Sequence, residues 1–232
     1  AILPTVNEDA LRDSYEFDKI YTYDQSILDK YPQAELFEFG SSWLDFKDLK
    51  VSKTNNISFV TSSKNQTVGH QLRLDIFEML KSIDISNGLR YYAHISPPFH
   101  QRRNDFFETA KFHIAVENSQ QRNYFTEKVI DCFASKTVPI YYGCPNIGDW
   151  FSMDGIITFQ DLDELAVIIR HLDADSYSSR LKAVERNYEI AKQFHGDNDI
   201  APRLTRKIIE EVNPVTTIQN KSINLCMIVK DE

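Results

Sequence analysis

With 232 residues, 42% of them hydrophobic and 12% aromatic, the chain can bury a substantial core and is neither disordered nor of low complexity. Its 34 acidic and 26 basic residues give a net charge of −8, which excludes a globally polyanion-binding surface and makes nucleic acid an unsuitable main partner. The cysteines, Cys132, Cys144 and Cys226, are odd in number, widely spaced and without a CxxC pair, so they read as reduced thiols with no zinc site.

No apolar run reaches the roughly 18 residues of a membrane helix, and the first residues do not read as a signal peptide. The expectation is a soluble, cytoplasmic protein. The abrupt start at Ala1-Ile2-Leu3-Pro4 leaves a preceding N-terminal segment open.

In chain order, residues 5–16 read as a helix, Asp18 to Tyr23 as a short strand, and Asp24 as the cap of a helix from Gln25 to Lys30. Glu35 to Phe39 alternates as a strand entering a turn. Asp45 to Asn56 is charged, lacks periodicity and reads as a linker. Ile57 to Thr61 is a strand of buried type, followed by a polar loop from Ser62 to Gly69. A helix from His70 then carries Leu72, Ile76, Met79, Leu80 and Ile83 as its apolar stripe. Asn87-Gly88 marks a turn, Tyr91 to Ile95 a strand, and Asn104 to Thr109 a short helix.

The stretch Lys111 to Pro145 has the order of a βαβ unit. His113-Ile114-Ala115-Val116 is strand-like, Glu117 to Phe125 is a polar loop, and Val129, Ile130, Phe133 and Ala134 share one helix face. Thr137 to Tyr142 is the next strand, ended by Gly143 and Pro145. Beyond it come a strand from Gly155 to Phe159, a helix over Leu162 to Leu172 capped by Asp161, a long helix from Ser176 to Phe194, and a last helix from Ala201 to Val212. This alternation predicts an α/β fold, a Rossmann-like and mainly parallel sheet with helices on both faces.

In such sheets ligands bind where strand-to-helix loops empty. Two of these loops pair polar side chains with cations: Ser63, Lys64 and Arg73 in one, Asn118, Glu127 and Lys128 in the other. A diphosphate there would meet the helix amides near Thr126 together with Arg73 and Lys128, while Glu127 suits ribose hydroxyls. Spacing alone leaves a solvated helix start equally open.

His70 reads as a capping or surface residue and His113 as a packed core residue. His94 and His100 lack partners at metal-ligand spacing. Arg102-Arg103 fits a solvated helix face. Trp150, more than Trp43, is placed to stack on a sugar.

Three runs together resemble glycosyltransferase family 10, the α1,3-fucosyltransferases: Phe112 to Ser119 (FHIAVENS), Tyr124-Phe125-Thr126-Glu127-Lys128, and Thr137 to Gly143 (TVPIYYG). Weaker similarity reaches Ser63 to Arg73 and Phe17 to Asp24. The resemblance implies the C-terminal lobe of a two-lobed, GT-B type glycosyltransferase with a reduced N-terminal lobe. Residues 1–50 would then be a partial acceptor-side segment, and 51–212 the domain that binds the nucleotide sugar.

The implied reaction transfers fucose from GDP-fucose to a glycan acceptor with inversion, without metal or cofactor. Arg73 and Lys128 would neutralise the pyrophosphate, Ser63, Asn118, Tyr124, Thr126 and Glu127 would contact the nucleotide, and Glu117 would lie near the donor sugar. The family's general base belongs to the largely missing N-terminal lobe, so no catalytic residue is assigned within this chain. The alternatives are a transferase for another GDP-sugar or a non-catalytic nucleotide- or glycan-binding module. Ile223 to Glu232 resembles the opening strand of a family 2 glycosyltransferase, with 213–221 as linker to a fused domain. Its other reading is an added edge strand.

Overall fold

A computed structural model describes residues 17–83, 106–212 and the strand 225–227. The expected elements at 5–16, 87–88 and 91–95 lie outside these residues, as do His94, His100 and Arg102-Arg103.

Two parallel sheets organise the chain. The first holds β1 (Lys19–Thr22) between β2 (Ala34–Leu36) and a strand at Leu225–Met227, which is β7 in chain order. The second runs β3 (Asn55–Phe59), β4 (Ala110–Val116), β5 (Val138–Tyr142), β6 (Ile157–Thr158). Each neighbouring pair is parallel, with Ile114 opposite Ile140 and Phe112 opposite Val138 at its centre.

Parallel strands need crossovers, and the helices provide them on both faces. Side chains alternate along β4 and β5, so one strand feeds two cores. Phe112, Ile114, Val116, Val138 and Ile140 pack against α2 (Val68–Ser82) through Ile76 and Leu80, and against α4 (Leu162–His171) through Leu165 and Ile169. Ala115 and Tyr141 point the other way, towards Val129, Ile130 and Phe133 of α3 (Glu127–Ala134). His113 also lies within the fold, its Nδ1 2.7 Å from Ser58 Oγ and its ring 4.6 Å from that of Phe107.

Caps place the helix starts. Asp24 accepts from the Ser26 amide at the head of α1 (Gln25–Lys30), and Asp161 accepts from Glu164 at the head of α4. Thr67 caps α2, so that helix begins two residues before His70.

Four expectations change. The long helix of 176–194 is instead α5 (Ala174–Ser178), α6 (Leu181–Ala191) and a 3₁₀ turn at Lys192–Phe194. The helix breaks where Arg180 Nη1 donates to Ser176 O; Tyr177 and Val184, on either side of the break, pack under one face of the sheet, and Ala191 and Phe194 join the other. The strand expected over 155–159 shortens to two residues, because Met153–Gly155 forms a 3₁₀ turn.

Residues expected as a linker are packed. Within Asp45 to Asn56, Phe46 and Leu49 pack against the core, the Lys50 amide donates to Glu108 Oε1 (2.8 Å), and Lys53 Nζ donates to Phe107 O and Thr137 Oγ1. Just before that stretch Leu44 is buried, and the Asp131 carboxylate accepts from Ser42 Oγ (2.6 Å) and the Trp43 amide (3.0 Å).

The last helix, α7 (Ile200–Val212), joins the first sheet rather than the second. Ile200 and Leu204 pack on a cluster of Tyr21, Tyr23, Phe37, Phe39 and Tyr124, while Arg203 donates to the carbonyls of Glu38 (2.9 Å) and Gly40 (2.6 Å). At the tail, Cys226 pairs with Ile20, so residues 225–227 lie at the edge of the first sheet.

Asp131 is buried at 2% exposure on α3 and is the tie between that helix and residues 42–43. Replacing it with Ala removes the shared acceptor of a part-buried hydroxyl and amide, a loss of about 2 kcal/mol. Thermal denaturation of Asp131→Ala is expected to show a Tm lower by about 4–8 °C.

Candidate donor-binding site

The end of β4, the loop after it and the start of α3 form one hydrogen-bonded unit. The Glu117 amide donates to Tyr142 O (2.8 Å), which holds its backbone in line with β5. Its side chain turns inward and is fully buried. One carboxylate oxygen accepts from the Thr126 amide (2.9 Å) and the other from the Thr126 hydroxyl (2.7 Å). Thr126 in turn caps α3, its hydroxyl oxygen accepting from the Lys128 amide at 3.4 Å. A nine-residue excursion of chain is thus closed at its base by one carboxylate.

Glu117, expected near the donor sugar, has its carboxylate beneath the loop, bonded to Thr126 and 3.7 Å from Lys128 Nζ. Burial pushes its carboxyl above the ordinary value, while Lys128 pulls it down.

Lys128 Nζ lies 3.0 Å from Glu127 Oε1, 3.1 Å from Thr126 Oγ1 and 3.7 Å from Glu117 Oε2. The ammonium therefore stands at the positive end of α3, held by neighbours of the opposite sign.

Two glycines make room for this arrangement. A Cβ on Gly69 would come within 1.9 Å of Glu117 O, so the first turn of α2 can approach the loop only without a side chain there. The Gly69 amide uses that closeness to donate to Asn118 O (3.0 Å). A Cβ on Gly143 would meet the Tyr141 hydroxyl at 2.3 Å and Glu117 Cγ at 2.5 Å. The glycine that ends the TVPIYYG run thus leaves space for the buried carboxylate.

Arg73, 8% exposed, braces the same loop from α2. Its Nη1 donates to Val116 O (2.5 Å) and its Nη2 to Asn118 Oδ1 (2.8 Å). The two expected loops are therefore brought together: Arg73 is bonded to Asn118, and the neighbouring Glu117 is bonded to Thr126 and faces Lys128, which also contacts Glu127. Ser63 is exposed and, among the described residues, has no hydrogen bond to this network.

Tyr124 is buried, its ring 5.0 Å from Tyr23 of the first sheet. Asn123 beside it has φ of 64°, the left-handed conformation that Asn tolerates better than most residues. Its amide donates to Asn146 Oδ1 (2.9 Å) and its side chain to Gln25 Oε1 (3.0 Å), so the loop is clamped between the two sheets.

Sequence reasoning missed Asn123, Asn146, Tyr141 and the two glycines. Only the glycines, next to strand and helix ends, carried a visible signal. Trp150 is a packing residue here, 5.1 Å from the Phe125 ring with Nε1 donating to Glu38.

His70 is not on the surface. It is 4% exposed, with Nδ1 2.9 Å from Thr67 Oγ1. Burial first, and then the charges of Arg73, Lys64 and Lys128, lower its pKa to about 4. Burial similarly lowers His113 to about 3.

The geometry is that of a glycosyltransferase lobe, and the comparisons agree. A solved α1,3-fucosyltransferase with GDP aligns with a TM-score of 0.50 at 18% identity, covering 76% of this chain and 69% of that one. S. aureus TarM, in a structure with UDP, aligns at 0.51 and 10% identity over 90% of this chain and 46% of its own. Both likenesses establish the GT-B type α/β fold.

Residues 51–200 match the family model described as glycosyltransferase family 10 (fucosyltransferase), C-terminal part; the chain belongs to that family. It is 30% identical over 125 residues to the α-(1,3)-fucosyltransferase FucT of Helicobacter pylori, half of this chain but 24% of that protein's length.

Both buried histidines bind protons less readily folded than unfolded, where the ordinary value is 6.5. The stability they contribute is complete above that value and is lost as pH falls towards 4. An NMR titration is expected to show both rings neutral down to pH 5; a midpoint near 6.5 for either would contradict this burial.

Proposed function

We propose that this chain provides the donor site of an enzyme that transfers fucose from GDP-fucose to a glycan acceptor with inversion. The observation that carries the reading is the Lys128 ammonium at the capped start of α3, with Arg73 locked into the same loop. A nucleoside diphosphate has the matching chemistry: negative oxygens for the ammonium and for the helix amides, and hydroxyls for the Glu127 carboxylate.

In the proposed reaction an acceptor hydroxyl attacks C1 of fucose, the bond from C1 to the β-phosphate oxygen breaks, and the hydroxyl proton passes to a base outside the described residues. GDP leaves with added negative charge. Fixed cations whose positions are set before the reaction stabilise that charge most in the transition state. Arg73, pinned to Val116 O, supplies charge without reorganising, and Lys128 supplies it by turning from Glu127. No metal or cofactor is needed in this scheme.

Glu117 takes no proton from the acceptor here. Its place under the loop makes it a positioning residue for Thr126 and Lys128.

GDP is expected to raise the Tm of the wild type equally with and without EDTA, and Lys128→Ala is expected to lose most of that rise. A rise abolished by EDTA would contradict charge neutralisation by Arg73 and Lys128 alone. GDP-mannose should bind more weakly than GDP-fucose; equal titration curves would favour a transferase for a different GDP-sugar.

A further inference from the structure

His70 has a proton donor left over after its structural role is filled. The Thr67 hydroxyl accepts the His70 backbone amide at 3.1 Å and lies 2.9 Å from Nδ1. When that hydroxyl gives its one proton to Nδ1, the ring proton sits on Nε2, on the opposite edge of the imidazole. Nε2 has no hydrogen-bond partner among the described residues and is not one of their enclosed polar atoms, so the 4% of His70 left exposed includes that edge of the ring. An N–H there is open to an acceptor from outside the fold.

The surroundings indicate what would accept. His70 follows Gly69, whose amide is bonded to Asn118 O and whose missing side chain admits the Glu117 backbone. The ring is therefore on the first turn of α2, against the loop that carries Asn118 and leads to Lys128. Arg73, Lys64 and Lys128 all lie close enough for their charges to oppose its protonation. A neutral N–H beside three cations is suited to an anionic oxygen, which would find a donor there without adding a fourth positive charge to the cluster.

We infer that His70, through Nε2–H, is a further binding residue for the diphosphate of the nucleotide, donating to a phosphate oxygen from the α2 side while Lys128 meets it from α3. This rests on the nucleotide-sugar reading above. It makes the site two-sided: α2 contributes the neutral donor and the fixed Arg73, and α3 contributes the ammonium and the helix amides.

Two substitutions separate this role from support of the Thr67 cap. The amide of Asn reaches the position of Nδ1 and can keep the bond to Thr67, but it has nothing where Nε2 stands. The amide of Gln reaches the position of Nε2 and can donate there.

GDP and inorganic pyrophosphate are titrated calorimetrically into the wild type, His70→Asn and His70→Gln, with Tm measured for each. Expected are wild-type binding of GDP, a loss of about tenfold in His70→Asn with its Tm kept, and affinity within about threefold of wild type in His70→Gln. If His70→Asn binds GDP as tightly as the wild type, the histidine only supports the cap and the inference is overturned while the nucleotide reading stands. If both variants lose affinity and Tm together, the ring acts through the fold and the inference is likewise overturned. If the wild type binds neither GDP nor pyrophosphate, the nucleotide reading falls and takes the inference with it.

Discussion

A carboxylate without contact to solvent holds the functional end of the second sheet together. Glu117 leaves β4, turns into the protein and receives both donors of Thr126, and this one pairing sets the path of the loop and the start of α3. Burying an ionised carboxylate is expensive unless hydrogen bonds and an opposite charge compensate, and Lys128 stands 3.7 Å away to do so. The same ammonium is the group proposed to meet the donor phosphates. Structure and function therefore compete for Lys128: a bound diphosphate draws on the charge that otherwise steadies Glu117. Glu127, at 3.0 Å, shares that ammonium and moderates its pull on any ligand.

Much of this frame was legible from the residues. The alternation of strands and helices announced a sheet covered on both faces, and Ile114 and Ala115 do face different cores. Asp24, Thr126 and Asp161 are short polar side chains just ahead of apolar periodicity, and each caps the helix that follows. The grouping of Arg73 with Asn118 and Lys128 followed from topology, since parallel strands deliver their following loops to one edge.

What escaped was tertiary in origin. Nothing local in Glu117-Asn118-Ser119 says that the first side chain points inward, because a polar loop after a strand normally faces water. The reason lies at Gly143 and Gly69, which clear the space from two other elements. The break at Arg180 escaped because the periodicity of Tyr177, Val184 and Ala191 suits one straight helix, and only the turn of Arg180 back to Ser176 O interrupts it. The stretch from Asp45 to Asn56 looked like a linker by composition and is packed through long-range bonds from Lys50 to Glu108 and from Lys53 to Thr137. α7 likewise closes on the first sheet through Arg203, whose carbonyl partners lie more than 160 residues earlier in sequence, at separations of 165 and 163.

The central claim is that the start of α3, with Lys128 held over the buried Glu117, receives the diphosphate of a nucleotide sugar. A crystal structure of the chain with GDP tests it most directly. The account predicts the β-phosphate within hydrogen-bond distance of Lys128 Nζ, at the amides that open α3, with the Glu117 carboxylate still bonded to Thr126 beneath it. Phosphates bound elsewhere on the chain, or a Glu117 side chain turned out to contact the nucleotide, would contradict it.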